Sequence, residues 1–371
     1  MQIANVIDFL QELAPEAYAE DFDNVGLLVG NKKNQVNGIL ITHDCLESIV
    51  DEAIEKKCNL IVSFHPIVFS GIKKFNGQDY VNRVLIKAIK NDIAIYATHT
   101  ALDNVLNGVN STICDKLGLI NREILIPKKS FIRKLTTFVP KENANELRDR
   151  LFEVGAGNIG NYSNCSFSIE GSGTFKGNNN SNPVIGERGK LHIEKEIQIG
   201  ITFEKHLESK ILNILFTHHP YEEVAYEITT LENKYQNIGM GMVGELTSSI
   251  DEKEFLPFLK TNMNTDCIRH SNLLGKSIKK IAVLGGSGAF AIKAAKRAGA
   301  DAFITADLKY HDFYQAEQSI LLCDIGHYES EQYTKSLLYE YLTKKIANFA
   351  PALPASSIIL SDLNTNPVNY F

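Results

Sequence analysis

Apolar residues recur at helical spacing in NVIDFLQELAPEAYAE (5–20), which predicts a short amphipathic helix; DFDNVGLLVG after it reads as a turn running into a strand. The segment GILITHDCLESIVDEAIEKKCNLIVSFHP (38–66) holds two short apolar runs around a stretch of helical period. It reads as strand, turn, helix of about three turns, strand. IAVLGGSGAFAIKAAKRAGADAFITADLK (281–309) reads the same way. Ile39 falls on Ile281, Ala53 on Ala295, Ile61 on Phe303 and His65 on Asp307, a constant offset of 242 without a gap. After the first unit come the helical VNRVLIKAIKN, the strand IAIYA and His99-x3-Asp103; after the second come HDFYQAEQ, the strand SILLCDI and His327-x3-Glu331. The same order twice predicts an α/β fold with a duplicated α/β core module.

Between the halves the pattern changes. Over 129–233, strand-like runs (KLTTFVP, EIQIGITF, ILNILFTHHP) alternate with helical ones (KENANELRDRLFEVG, EKHLESKILNIL, YEEVAYEITTLE), broken by the exposed loop GSGTFKGNNNSNPVIGERG. Strand-helix-strand, loop, strand-helix-strand is the order of a small ferredoxin-like α+β sandwich. The expected organisation is therefore a discontinuous core, 1–128 and 234–371, which rejoins around Gly239 to Leu246, with an inserted domain over 129–233. The C-terminal FAPALPASSIILSDLNTNPVNYF reads as a docked, extended tail.

A chain of 371 residues is long enough for two or three such domains. The net charge of −6 argues against a nucleic-acid partner bound by phosphate neutralisation. No apolar run is long enough for a membrane span, and the N-terminus has neither n-region nor cleavage site. Six scattered cysteines without a C-x2-C pair read as reduced thiols of a cytoplasmic protein.

Candidate chemistry gathers at strand ends. His65 closes the apolar run NLIVSF, at the edge where open α/β sheets bind ligands. The two H-x3-acid pairs place both side chains on one helix face. His65, His99, Asp103, His327 and Glu331 are five imidazole and carboxylate candidates that suit Zn²⁺, Mn²⁺, Fe²⁺ or Co²⁺, enough for two ions if one carboxylate bridges. Two ions about 3.5–4 Å apart can generate a nucleophilic hydroxide near neutral pH. GGSG (285–288) fits a tight turn or an anion nest equally well. THHPYEE (217–223) holds two adjacent histidines that would point to opposite faces of a strand. Asp44, beside His43, is most simply an N-cap for the helix that follows, with support of a metal ligand as the alternative.

DFDNVGLLVG, NLIVSFHPIVF, YATHTALDNVLNGVN, GGSGAFAIKAAKRAGADAFITADLKYHD and DIGHYESE together resemble the GTP cyclohydrolase 1 type 2 homologues, also called NGG-one-interacting-factor-three-like proteins. THHPYEEVAYEI and the Gly/Asn loop look like the longer bacterial members, whose inserted domain is similar to the PII and CutA proteins. The resemblance implies a dinuclear metal site and a toroidal homohexamer. Carried over by motif, His65, Asp103, His327 and Glu331 would be metal ligands, with His99 a further member of the motif. One departure stands out: many members have two consecutive histidines where this chain has Phe64 and His65, so that His99 or water would have to complete the second ion. The function implied is a metal-dependent hydrolase acting on a small nucleotide-like or phosphorylated substrate. The competing reading is a ring-shaped regulatory or metal-handling protein whose insert senses a ligand.

Overall fold

The computed structural model describes residues 1–350 and 357–371; residues 351–356 of the expected C-terminal tail lie outside these. Along the chain the strands are β1 (Gly26–Val29), β2 (Ile39–Thr42), β3 (Leu60–Ser63), β4 (Ala94–Ala97), β5 (Ile120–Lys128), β6 (Ile132–Pro140), β7 (Ser166–Phe175), β8 (His192–Glu204), β9 (Tyr226–Leu231), β10 (Tyr235–Asp251), β11 (Arg269–His270), β12 (Ser277–Ser287), β13 (Ala302–Ala306), β14 (Leu321–Asp324) and β15 (Ile358–Leu360). They form three sheets in a mixed α/β arrangement. The chain divides into two compact units, Met1–Pro127 with Gln236–Phe371, and Lys128–Tyr235.

The first unit holds two sheets built to one plan, in the orders β1-β4-β3-β2-β15 and β11-β14-β13-β12-β10-β5. β2 pairs in parallel with β3 in the register Ile39↔Leu60, and β12 with β13 in the register Ile281↔Ala302. The two registers differ by the 242 residues that relate the sequences. β3 and β13 then pair in parallel with β4 and β14, whose outer edges carry the antiparallel β1 and β11. ILIT, LIVS, AIYA, AFITA and LLCD are buried at every position, as parallel strands covered on both faces must be. Helices Glu47–Glu55 and Tyr80–Lys90 cover one sheet through Ile49, Val50, Val84 and Leu85. Ile292 and Ala295 of helix Ile292–Arg297 pack with Phe303 and Leu322 on the other. Each such fully buried aliphatic side chain contributes about 1.5–3 kcal/mol relative to exposure.

The first helix is shorter than its pattern predicts. It spans Ile3–Leu13, and Glu16–Tyr18 forms a separate 3₁₀ turn. Pro15 disfavours helical backbone at Ala14, so the helix stops there.

The second unit is a four-stranded antiparallel sheet in the order β7-β8-β6-β9 with two helices, Ala144–Glu153 and Glu208–His218. Three expectations fail here. ILNILFTHHP is not a strand: most of it is helix, because Ile211 and Leu215, one turn apart, share the face buried in this unit's core. YEITTL, expected helical, is β9, which pairs with β6 over Tyr226↔Thr137 to Leu231↔Ile132. The first residues of the expected loop, GSGTF, extend β7 instead. Among the described residues no helix is long and apolar enough to cross a membrane.

Candidate metal centre

The C-terminal ends of β3, β4 and β14 deliver the candidate side chains of the first unit, as the open-sheet rule requires. His65 follows β3 by two residues, His99 opens the short helix His99–Asp103 after β4, and His327 opens the short helix His327–Glu331 after β14. His65 Nε2 lies 3.2 Å and His327 Nε2 3.3 Å from Glu331 Oε2. Donor atoms of His65, His327 and Glu331 all lie within 4.8 Å of one another, as do those of His43, Asp44 and His65. His99 and Asp103 fall outside both groups, but the His99 ring lies edge-on to His65 at 5.2 Å.

Each of the three strand-end histidines is tied back through its other nitrogen. His65 Nδ1 donates to Asp44 Oδ1 at 2.8 Å, His99 Nδ1 to Asp23 Oδ1 at 2.7 Å and His327 Nδ1 to Asp307 Oδ2 at 2.7 Å. An aspartate on Nδ1 fixes the tautomer and leaves Nε2 as a lone-pair donor, the usual support of a metal-binding imidazole. The aspartates are themselves anchored. Thr365 donates to Asp44 Oδ2 at 2.6 Å, Thr100 to Asp23 and Ser287 to Asp307. Asp44 is thus an orienting carboxylate, not the expected N-cap: the N-cap position of the helix it precedes is Leu46, and no side chain caps that end. His99 and Asp307 carry positive φ, +27° and +56°, a backbone state that costs non-glycine residues energy and collects at functional sites.

The electrostatics follow from burial. Burial opposes protonation of His65, but its bonds to Asp44 and Glu331 overcome this and raise it to about 10. His327 is likewise opposed by burial and lifted to about 9 by Glu331 and Asp307. Glu331, which burial alone would raise, is held well below the ordinary carboxylate range by His327 and His65. Asp103 moves the other way: burial, then the charge of Glu331, pushes it well above the usual carboxylate value.

His43 was not among the ligand candidates, yet it belongs to this cluster. It is 2% exposed, and its Nε2 lies 3.6 Å from Glu331 Oε2. Neither ring nitrogen has a hydrogen-bond partner, nor has Asp103 Oδ1; Glu331 Oε2 has only the facing imidazoles. Burial and the charge of His65 lower it to about 4, so it is a neutral donor. Phe64, fully buried, stacks on it at 5.4 Å between ring centroids. A histidine just after a buried strand was the available signal, and His43 follows β2 directly, one residue closer than His65 follows β3.

These residues fit a divalent ion. Donors 2.0–2.1 Å from a tetrahedral ion are separated from each other by about 3.3 Å, and the two imidazole nitrogens stand 3.2 and 3.3 Å from the shared carboxylate oxygen. Three buried, unpartnered polar atoms beside them, both His43 ring nitrogens and Asp103 Oδ1, would otherwise each cost about 1–3 kcal/mol.

The second glycine of GGSG is part of this geometry. Gly286 has φ +69°, and a Cβ there would lie 2.4 Å from Glu331 Oε1. The amides of Gly285 and Gly286 donate to Asn110 Oδ1 and Ser330 Oγ, so the segment is the irregular end of β12 that admits Glu331, neither the tight turn nor the anion nest expected. In the second unit, His219 spends Nε2 on Phe138 O and Nδ1 on the amide of Tyr221, a structural role. Beside His65 and His327 opens a cavity of about 360 Å³, walled by Arg269, Tyr328 and, from the C-terminal tail, Asn366 and Tyr370.

The model of the Duf34/NIF3 (NGG1p interacting factor 3) family matches residues 1–367. A Bacillus subtilis protein named GTP cyclohydrolase 1 type 2 homolog is 36% identical over 368 residues, 98% of this chain and 97% of the relative. A Staphylococcus aureus protein of the same name is 32% identical over 375 residues, covering 100% of each. Among solved structures, a Bacillus cereus protein related to NIF3 superposes with a TM-score of 0.86 at 35% identity, over 100% of this chain and 99% of that one.

Proposed function

The chain belongs to the Duf34/NIF3 family, and on that footing we propose that it is a metal-dependent hydrolase with a dinuclear centre, acting on a small nucleotide-like or phosphorylated substrate. The observation that carries this reading is the pair of imidazole nitrogens, each aimed by an aspartate, on one buried Glu331 oxygen. We assign His65, His327 and Glu331 to one ion, and Asp103, His43 and His99 to completing a second around the same carboxylate. In this assignment His43 supplies, from the neighbouring strand, the imidazole that Phe64 cannot. Zn²⁺, Mn²⁺, Fe²⁺ and Co²⁺ all suit the nitrogen and oxygen donors. Such ions would supply Lewis-acid polarisation of the scissile bond and acidify a water.

The chain's own residues orient and select. Asp44, Asp23 and Asp307 hold the imidazoles. Arg269, anchored by Asp324 at 3.0 Å and Leu308 O at 2.8 Å, has further N–H groups for an anionic substrate. The name carried by the relatives makes a purine nucleotide such as GTP the first substrate to try. A homohexamer, a cytoplasmic location, a duplicated core and a PII/CutA-like insert complete the proposal; the β7-β8-β6-β9 order supports the last. The regulatory alternative is favoured by one observation, a cavity of about 700 Å³ in the second unit.

Elemental analysis of the purified protein, of Asp103→Ala, Glu331→Ala and His43→Ala, tests the assignment alongside metal-supplemented turnover of GTP. The two carboxylate variants should lose metal and stay folded, and His43→Ala should lose one ion. Full metal content in all three would overturn the site; metal without turnover would favour the regulatory reading.

A further inference from the structure

A cavity of the second unit lies on the sheet face opposite its helices, and the strand register explains why it exists. β7 pairs with β8 so that Ile169, Gly171, Gly173 and Phe175 face the same side as Gln198, Glu196, Glu194 and His192. Gly171 and Gly173 leave the middle of that face without side chains. A Cβ on Gly173 would lie 2.0 Å from Glu196 Oε2, so the glutamate occupies space that any other residue would take. A Cβ on Gly171 would meet nothing within 4 Å and would point into the cavity.

The walls have two characters. Phe175, Val184, Ile185 and the Tyr221 ring make an apolar part, with Phe175 and Tyr221 5.6 Å apart between centroids. Glu196, 8% exposed, adjoins this part and accepts a bond from Tyr221 Oη at 2.7 Å. A carboxylate can accept about four hydrogen bonds. No ion pair engages Glu196 among the described residues. Burial and the bond to Glu196 raise the Tyr221 phenol, which therefore stays a donor and keeps the carboxylate oriented. Glu222 and Glu223 add negative charge against the single Lys176 on the lining. A volume of about 700 Å³ accommodates a small organic molecule.

We propose that this cavity binds a small organic cation, an amine or guanidine on an apolar or aromatic body, with the charge on Glu196 and the body against Phe175 and Ile185. The site is separate from the metal centre, and its failure would leave that reading untouched.

Three probes share one ring and differ in charge: tyramine, neutral 4-ethylphenol and anionic 4-hydroxyphenylacetate. Calorimetry on the full chain should show tyramine binding once per chain, about ten-fold or more tighter than 4-ethylphenol, as a charge-assisted hydrogen bond implies, and no binding of the anion. Glu196→Gln should remove the preference for tyramine over 4-ethylphenol. Gly171→Val should abolish binding of both, with circular dichroism, melting temperature and metal content unchanged. Equal affinity for the three probes, no tyramine binding at millimolar concentration, or tyramine binding that survives both substitutions would overturn the proposal.

Discussion

If His65 and His327 hold the metal as proposed, protons compete with it for the same nitrogens, and metal uptake should be steeply pH-dependent. In protein stripped of metal, His65 and His327 titrate near 10 and 9, so both are charged between about pH 6 and pH 8. His43, near 4, is already neutral there and releases nothing. Glu331, held below the ordinary carboxylate range, is already ionised. A metal bound in the proposed way would therefore displace two imidazolium protons, and Asp103, raised in the same field, could only add to the release. Each displaced proton contributes a factor of about ten per pH unit, so apparent affinity should rise about 100-fold per unit, or about 2.7 kcal/mol. The sign also fixes stripped-protein stability. Both histidines sit above their unfolded value of 6.5, so their stabilisation is complete below about pH 6.5 and is lost as pH rises through 9 to 10. The assay is competition of Zn²⁺ between the protein and a chromophoric chelator from pH 6 to 8. Calorimetry in buffers of different ionisation enthalpy then counts protons directly. His327→Ala should lower the slope by one unit. A wild-type slope near zero would refute the reasoning, because it would put the ions on carboxylates and leave the imidazoles as spectators.

Thr365→Val removes the bond that steadies Asp44 and should weaken metal binding about ten-fold, the low end for second-layer partners, while Thr365→Ser restores it; unchanged affinity in the valine variant would show the tail to be incidental. Gly286→Ala should cost about 1–2 kcal/mol from its left-handed backbone alone and displace Glu331 as well. Urea denaturation and metal analysis check this, and wild-type values in both would contradict the role of Gly286. Replacing residues 128–235 by a short Gly/Ser linker should leave a soluble, metal-binding oligomer, because loop-closure cost grows slowly with length. An insoluble or metal-free product over several junctions would count against a separable insert.

Local periodicity carried a large part of the architecture. The strand-helix-strand segments over Ile39–Ser63 and Ile281–Ala306 were legible because their apolar runs are continuous, and the spacing shared by the two sequences reappears as the spacing between their registers. Periodicity failed where a short apolar run suits either state. ILNILF became helix because one turn separates the residues its core needs, and YEITTL became strand because β6 offered an unpaired edge. The site divides the same way. His65, His99 and His327 announce themselves at strand ends, and the H-x3-acid spacing places Asp103 and Glu331 one turn further on. Tertiary structure alone decided that Glu331 faces His65 and His43, that Asp44, Asp23 and Asp307 hold the imidazoles, and that Thr365 steadies Asp44 from 321 residues away. Helix and strand periods are properties of neighbouring residues along the chain. Contacts between side chains at the ends of different strands depend on which strands pair and in what register, and no local pattern encodes them.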